Sequence, residues 1–220
     1  MVLLCPYSTL PCPRRPPSSV SWWLSLPVLS GVSDAQIPTA TPAAPLVRPH
    51  TPTLGPANAK VHLVEFLDPA CEGCRAFYPV VKQLIAENPG KIRLWVRYVP
   101  IHRGADFVVK ALEAARAQGR FWEALDILFA KQDEWTRHHA VMPKQVLDVL
   151  SGIGGLDMER LRREMSNPEF ARIAEQDMAD AKAVKVMQTP TFYINGKALS
   201  EYTLEKLRSQ VQLEIAAQYP

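Results

Sequence analysis

The chain has 220 residues, 47 % of them hydrophobic, enough to bury one sizeable core and too apolar for a disordered protein. Its formal charge of +3 is mild, and the charged residues are scattered rather than massed, so no nucleic-acid partner is expected. There is no repeat at solenoid periods and no apolar run long enough to span a bilayer.

In chain order, Arg14 and Arg15 precede the apolar stretch Val20 to Val32, and Ser33-Asp34-Ala35 follows with a small-x-small pattern. Residues 1–35 therefore read as a secretory leader cleaved after Ala35, with a disordered tail or retention as a membrane anchor as the alternatives. The long, Pro-rich stretch before Arg14 does not fit such a leader and points to a translation start further downstream. Residues 36–57 are rich in Pro, Thr and Ala and read as an extended linker, which puts the start of the folded domain near Asn58. Cleavage would remove Cys5 and Cys12 and leave Cys71 and Cys74, which in an oxidising compartment pair most simply with each other.

Val61 to Leu67 (VHLVEFL) is an almost unbroken apolar run with β-branched and aromatic members, as expected of a strand buried on both faces. Glu65 in its middle must lie among apolar neighbours, where a carboxylate is costly unless protonated or paired. A strand residue facing solvent at a sheet edge is the alternative. From Glu72 the spacing of Cys74, Phe77, Tyr78, Val81, Leu84 and Ile85 predicts a helix. Cys71 then sits at a helix N-terminus, where unpaired N–H groups favour the thiolate, and an exposed nucleophilic sulfur is expected there. Cys74, one turn inside, is expected to be shielded.

Three chemistries compete for this C-x-x-C. Structural zinc needs four ligands, and there is neither a second C-x-x-C nor a His pair at ligand spacing; His138 and His139 would diverge on a helix. A copper carrier also places C-x-x-C in a strand-to-helix loop, but no Met precedes Cys71 and Glu65 would go unexplained. A purely structural disulfide closing so short a loop would stabilise little.

Ile92 to Val99 predicts a second strand. His102 just after it is read as a loop residue rather than an acid or base. Residues 104–186 read as helical throughout, with Phe121, Leu125, Leu128 and Phe129 forming one apolar stripe and Phe170, Ile173, Met178 and Ala181 another; Gly152, Gly154 and Gly155 mark turns. Thr191 to Ile194 predicts a third strand, Asn195-Gly196 a hairpin turn into a short fourth, and Leu204, Leu207, Val211 and Ile215 a closing helix.

Taken together, Glu65 six residues before Cys71, Cys74, Pro79 eight residues after Cys71, and "QTPTFYING" at 188–196 resemble the thioredoxin superfamily, specifically secreted thiol:disulfide interchange proteins of the DsbA type. The resemblance covers residues 58–220. It implies an α/β thioredoxin fold, a central mixed sheet flanked by helices, with an inserted helical subdomain at about 104–186. It also implies a cis Thr189-Pro190 bond facing the cysteines, with backbone at Thr189 and Pro190 that pairs with substrate. Cys71 becomes the nucleophile, Cys74 the resolving thiol and Glu65 a proton relay, with Glu72 and Gly73 tuning the redox balance. No metal or organic cofactor is implied. Glu72-Gly73 lacks the histidine of the strongly oxidising members, and a carboxylate beside Cys71 opposes its thiolate, so a weaker oxidant, reductant or isomerase is expected. The implied setting is periplasmic, with cysteine-containing secreted proteins as substrates and a membrane protein as redox partner. The dimerising isomerases carry an extra N-terminal domain that the linker is too short to be, so a monomer is expected. A non-catalytic holdase using the groove around Pro190 is the reading from another class.

Overall fold

The arrangement is built around strand β2 (Val61–Leu67), every residue of which is buried. In the computed structural model, which describes residues 45–138 and 140–220, β2 lies between β3 (Ile92–Tyr98), parallel to it, and β6 (Thr191–Ile194), antiparallel to it. β1 (Thr53–Leu54) closes one edge against β3 and β7 (Lys197–Ala198) the other against β6, so the sheet order is β1-β3-β2-β6-β7. The predicted leader, residues 36–44 and His139 lie outside the described residues.

Side chains alternate across a strand. Val61, Leu63 and Leu67 of β2 join the larger core with α1 (Glu72–Glu87) and α8 (Leu204–Gln218), whereas Val64 and Phe66 join a second cluster on the opposite face with Ala181 of α7 (Pro168–Ala183). Both faces are thus covered, which is why β2 lacks the polar alternation of a half-exposed strand. Glu65 falls in the odd-numbered set and is directed toward the α1 side. Pro79 sits inside α1, where its ring removes one helix hydrogen bond without ending the helix.

The expected strands, hairpin turn and closing helix all form. The insertion between β3 and β6 carries α2 (Ala105–Arg116), α3 (Phe121–Ala130), α4 (Gln132–Trp135), α5 (Pro143–Leu150), α6 (Met158–Glu164) and α7. It is not helical throughout. A two-stranded ribbon, β4 (Thr136–Arg137) and β5 (Ala140–Val141), interrupts it, and His138 occupies its turn at φ 51° rather than a helix. After the ribbon, Pro143 opens α5 at its first turn, where its missing N–H costs nothing. Met178 also departs from the expected buried stripe and stands 38 % exposed, while Phe170, Ile173 and Ala181 are buried.

The linker reading fails over residues 45–57. Leu46 is buried against Val64, Phe66, Val99 and Ala181, and β1 is part of the sheet. The buried Arg97 guanidinium donates to the carbonyl oxygens of Pro45 and Leu46 and to the carboxylates of Asp177 and Asp180, while Arg48 also binds Asp180. A Pro-rich composition hid this because the polar partners of the segment, Arg97, Asp177 and Asp180 among them, lie dozens of residues further along the chain. If the segment belongs to the folded unit, Leu46→Ala lowers unfolding free energy by about 2 kcal/mol or more in urea titration, within the range for buried leucine truncation; a true linker residue would leave the midpoint unmoved.

Candidate active site

Strand β2 delivers the chain to a tight loop, Asp68-Pro69-Ala70, and α1 starts directly after Cys71, its N-cap residue. Asp68 organises this loop. Its fully buried carboxylate accepts the N–H of Ala70 at 2.8 Å and the N–H groups of Ile101 and His102, each at 2.8 Å, and meets His102 Nδ1 at 2.7 Å. His102 is thus a loop residue, and it helps tie the loop after β3 to the loop before Cys71. From the insertion, the buried Gln132 donates its side-chain N–H groups to the carbonyls of Pro69 and Cys71 at 3.0 and 3.2 Å. Neither Asp68 nor Gln132 was singled out from sequence. Asp before Pro signals a turn, but nothing local to "KQDEW" reveals a partner sixty residues upstream.

The two cysteines are free thiols. Cys74 is fully enclosed, as expected, but Cys71 is only 8 % exposed rather than open to solvent. What covers it is the Thr189-Pro190 segment, joined by a cis peptide bond; Cys71 Sγ donates to the Thr189 carbonyl at 3.3 Å. Gly73 allows this close approach. A Cβ there would lie 3.2 Å from Pro190 Cδ and 3.5 Å from Cys71 Sγ, so any larger side chain would press the proline segment away from the helix start.

The Cys71 thiol is lowered to about 5. A hydrogen bond from Cys74 has the largest influence; burial works against it, and the Thr189 side chain and the N–H groups of Cys74 and Gly73 add to the stabilisation of the anion, whereas the bond to the Thr189 carbonyl belongs to the protonated thiol. Burial pushes Cys74 well above the ordinary thiol range, and the neighbouring Cys71 and Glu65 push it further. The pair is therefore split into one thiolate and one retained thiol, as stepwise exchange requires. Glu72 is exposed to solvent, where its charge is screened. The opposition to the Cys71 thiolate expected from it is outweighed by donors placed at the sulfur itself.

Glu65 is fully buried at the centre of the sheet, level with Val96 on one side and Phe192 on the other, which removes the sheet-edge alternative. Neither carboxylate oxygen has a hydrogen-bond partner. Burial, and next the charge of Cys71, raise it to about 8, so at neutral pH it is mostly a carboxylic acid. Cys71, Cys74, Glu65, Thr189, Pro190 and Gly73 are thus brought together, with Glu72 at the rim. Among the described residues no cluster of three or more His, Cys, Asp or Glu side chains is arranged to hold a metal ion.

A family model described as thioredoxin matches residues 48–212. The Na(+)/H(+) antiporter NhaA 3 of Salinispora tropica is 32 % identical over 193 residues, 86 % of this chain but 28 % of that protein. This chain spans about a quarter of the length of the first such curated relatives. Disulfide bond formation protein D of Bacillus subtilis is 24 % identical over 172 residues, 74 % of this chain and 77 % of that protein. The crystal structure of a thioredoxin-like oxidoreductase from Silicibacter pomeroyi superimposes with a TM-score of 0.67 at 29 % identity, over 79 % of this chain and 95 % of that one.

Proposed function

We propose, from the premise that this chain belongs to the thioredoxin family, that it is a DsbA-like thiol:disulfide oxidoreductase that exchanges disulfides with cysteine-containing polypeptides outside the cytoplasm. The observation that carries the reading is the asymmetry of the two sulfurs: Cys71, at a helix start, is held as a thiolate by the Cys74 thiol, the Thr189 side chain and the N–H groups of Cys74 and Gly73, while Cys74 stays protonated behind it.

In the reducing direction the Cys71 thiolate attacks one sulfur of a substrate disulfide, forming a mixed disulfide and expelling the other substrate sulfur as thiolate. Cys74 then loses its proton, to the Glu65 carboxylate when that group is ionised, and attacks Cys71 Sγ. This forms the Cys71–Cys74 disulfide, releases the second substrate thiolate and leaves two electrons on the substrate. The reverse sequence oxidises a substrate dithiol. All reacting groups belong to the two proteins. The proton relay through Glu65 is favoured by its isolation among apolar side chains, which raises it close to physiological pH.

The direction of electron flow follows from how strongly the reduced form is stabilised. A nucleophile at about 5 lies between thioredoxin, at about 7, and DsbA, at about 3.5. The reduction potential should accordingly fall between about −270 mV and about −120 mV. Of the roles left open by the sequence this favours a moderate oxidant, with a membrane protein resetting its disulfide and no bound cofactor. Equilibration with glutathione buffers and turnover of a dithiol peptide test both parts. A potential at or below that of thioredoxin would remove the oxidant role, and absence of exchange would remove the function.

A further inference from the structure

Among the described residues five large hydrophobic side chains stand out in solvent: Ile101, Met178, Met187, Tyr202 and Leu213. Three of the five, Ile101, Met178 and Met187, line a single groove of about 500 Å³. Met187 is 88 % exposed and Ile101 56 %, although each lies within a few residues of the buried core. Apolar side chains gathered in one groove, rather than scattered singly, make it a candidate contact surface.

The location indicates what covers it. One wall is the loop after β3, tied by the Ile101 N–H to Asp68, three residues before Cys71. The other is the end of α7 and the loop that leads to Gln188, whose next residue, Thr189, touches the reactive sulfur. The groove therefore lies between two loops that are each tied to the Cys71 site, one through Asp68 and the other through Thr189. Its rim carries Lys182 and Lys185, both exposed and neither ion-paired among the described residues. Asp177 and Asp180, the carboxylates of α7 nearest to them in sequence, are already occupied by Arg97, Arg48 and His50.

We propose that this groove holds the stretch of substrate polypeptide flanking the cysteine that reacts with Cys71, and that it selects stretches with bulky apolar side chains next to an acidic one. Flexible methionine side chains suit such a surface, because they repack around different apolar shapes. The lysines supply the charge preference. The proposal names the substrate class of the exchange reaction proposed above and rests on that reading.

The test uses the full chain in its oxidised form and three dithiol peptides that share one core, in which both peptide thiols are oxidised to a disulfide as Cys71 and Cys74 are reduced; oxidised glutathione, itself reduced to two thiols, restores the Cys71–Cys74 disulfide for each turnover, and its direct reaction with each peptide is subtracted. The flanks carry Leu-Phe-Glu, Leu-Phe-Lys or Gly-Ser-Gly. We expect kcat/KM for the Leu-Phe-Glu peptide to exceed that for the Gly-Ser-Gly peptide by about 10-fold, mostly through KM, the discrimination that apolar pockets deliver. The double variant Met178→Ser/Met187→Ser should bring the ratio close to one while leaving the Gly-Ser-Gly rate unchanged. Lys182→Glu/Lys185→Glu should turn the preference from the Glu to the Lys flank. Equal rates on all peptides in the wild type, or equal slowing of all of them in the serine variant, would overturn the proposal. So would a serine variant that changes particle size in light scattering but keeps the ratio, which makes the groove a contact between copies of the chain. If no peptide reacts at all, the exchange reading itself has failed rather than the assignment of the groove.

Discussion

Cys71→Ser is expected to bring disulfide exchange down to the uncatalysed background, whereas Cys74→Ser stops the reaction one step later. With serine at 71 no thiolate stands at the start of α1, and Cys74 cannot substitute, because it is fully enclosed and its thiol is raised well above the ordinary range. With serine at 74 the attacking sulfur remains, but its largest stabilising hydrogen bond now comes from a hydroxyl, and nothing resolves the adduct. The mixed disulfide should then accumulate in stoichiometric amount, and mass spectrometry of the non-reduced protein after incubation with a disulfide peptide would read it directly. Turnover by the Cys71 variant, or an adduct formed on Cys74 in it, would reverse the assignment of the two sulfurs. A variant lacking both cysteines that still suppressed aggregation of an unfolded client would move the weight to a holding function.

Much of this was legible in the sequence because the features that carry it are local. A strand buried on both faces announces itself as VHLVEFL, and a charge within it is conspicuous whatever surrounds it. Helix periodicity then put Cys71 at an N-terminus and Cys74 inside, which fixes their different environments. The cis bond at Thr189-Pro190 came from the family resemblance, not from periodicity. What stayed hidden was contact across the sequence. Arg97 reads as an ordinary polar member of IRLWVRY, yet it is fully buried and binds carboxylates 80 and 83 residues away. Gln132 and Asp68 support the active-site loop through backbone groups, which leave no side-chain pattern to detect. The cover over Cys71 was missed for the same reason: exposure of a helix-start residue depends on what a distant loop lays over it.

Glu65 carries the second large effect, and its sign depends on pH. In the folded, reduced protein the group is raised from 4.5 to about 8, first by burial and then by the Cys71 charge. A raised folded value means that the unfolded chain loses the proton first. Stability tied to the protonated acid is fully present below about 4.5 and is lost as pH rises, until the folded protein also ionises near 8. At pH 7 the accumulated loss is about 3 kcal/mol, taking about 1.4 kcal/mol per pH unit. Glu65→Gln keeps the shape of the protonated acid and removes the titration. The variant should therefore match the wild type below pH 4, exceed it by about 3 kcal/mol at pH 7 in urea titrations of the reduced protein, and show a smaller gain in the oxidised protein, where the Cys71 charge is absent. The same change should slow resolution of the mixed disulfide by about 10²-fold, the lower end of what general base catalysis supplies. A stabilised but catalytically slow enzyme is the expected combination, since the buried acid lowers stability in order to stay near the pH at which Cys74 must give up its proton. Parallel stability curves from pH 4 to 8 would show that Glu65 ionises no differently in the folded chain, and unchanged resolution would leave the proton with water.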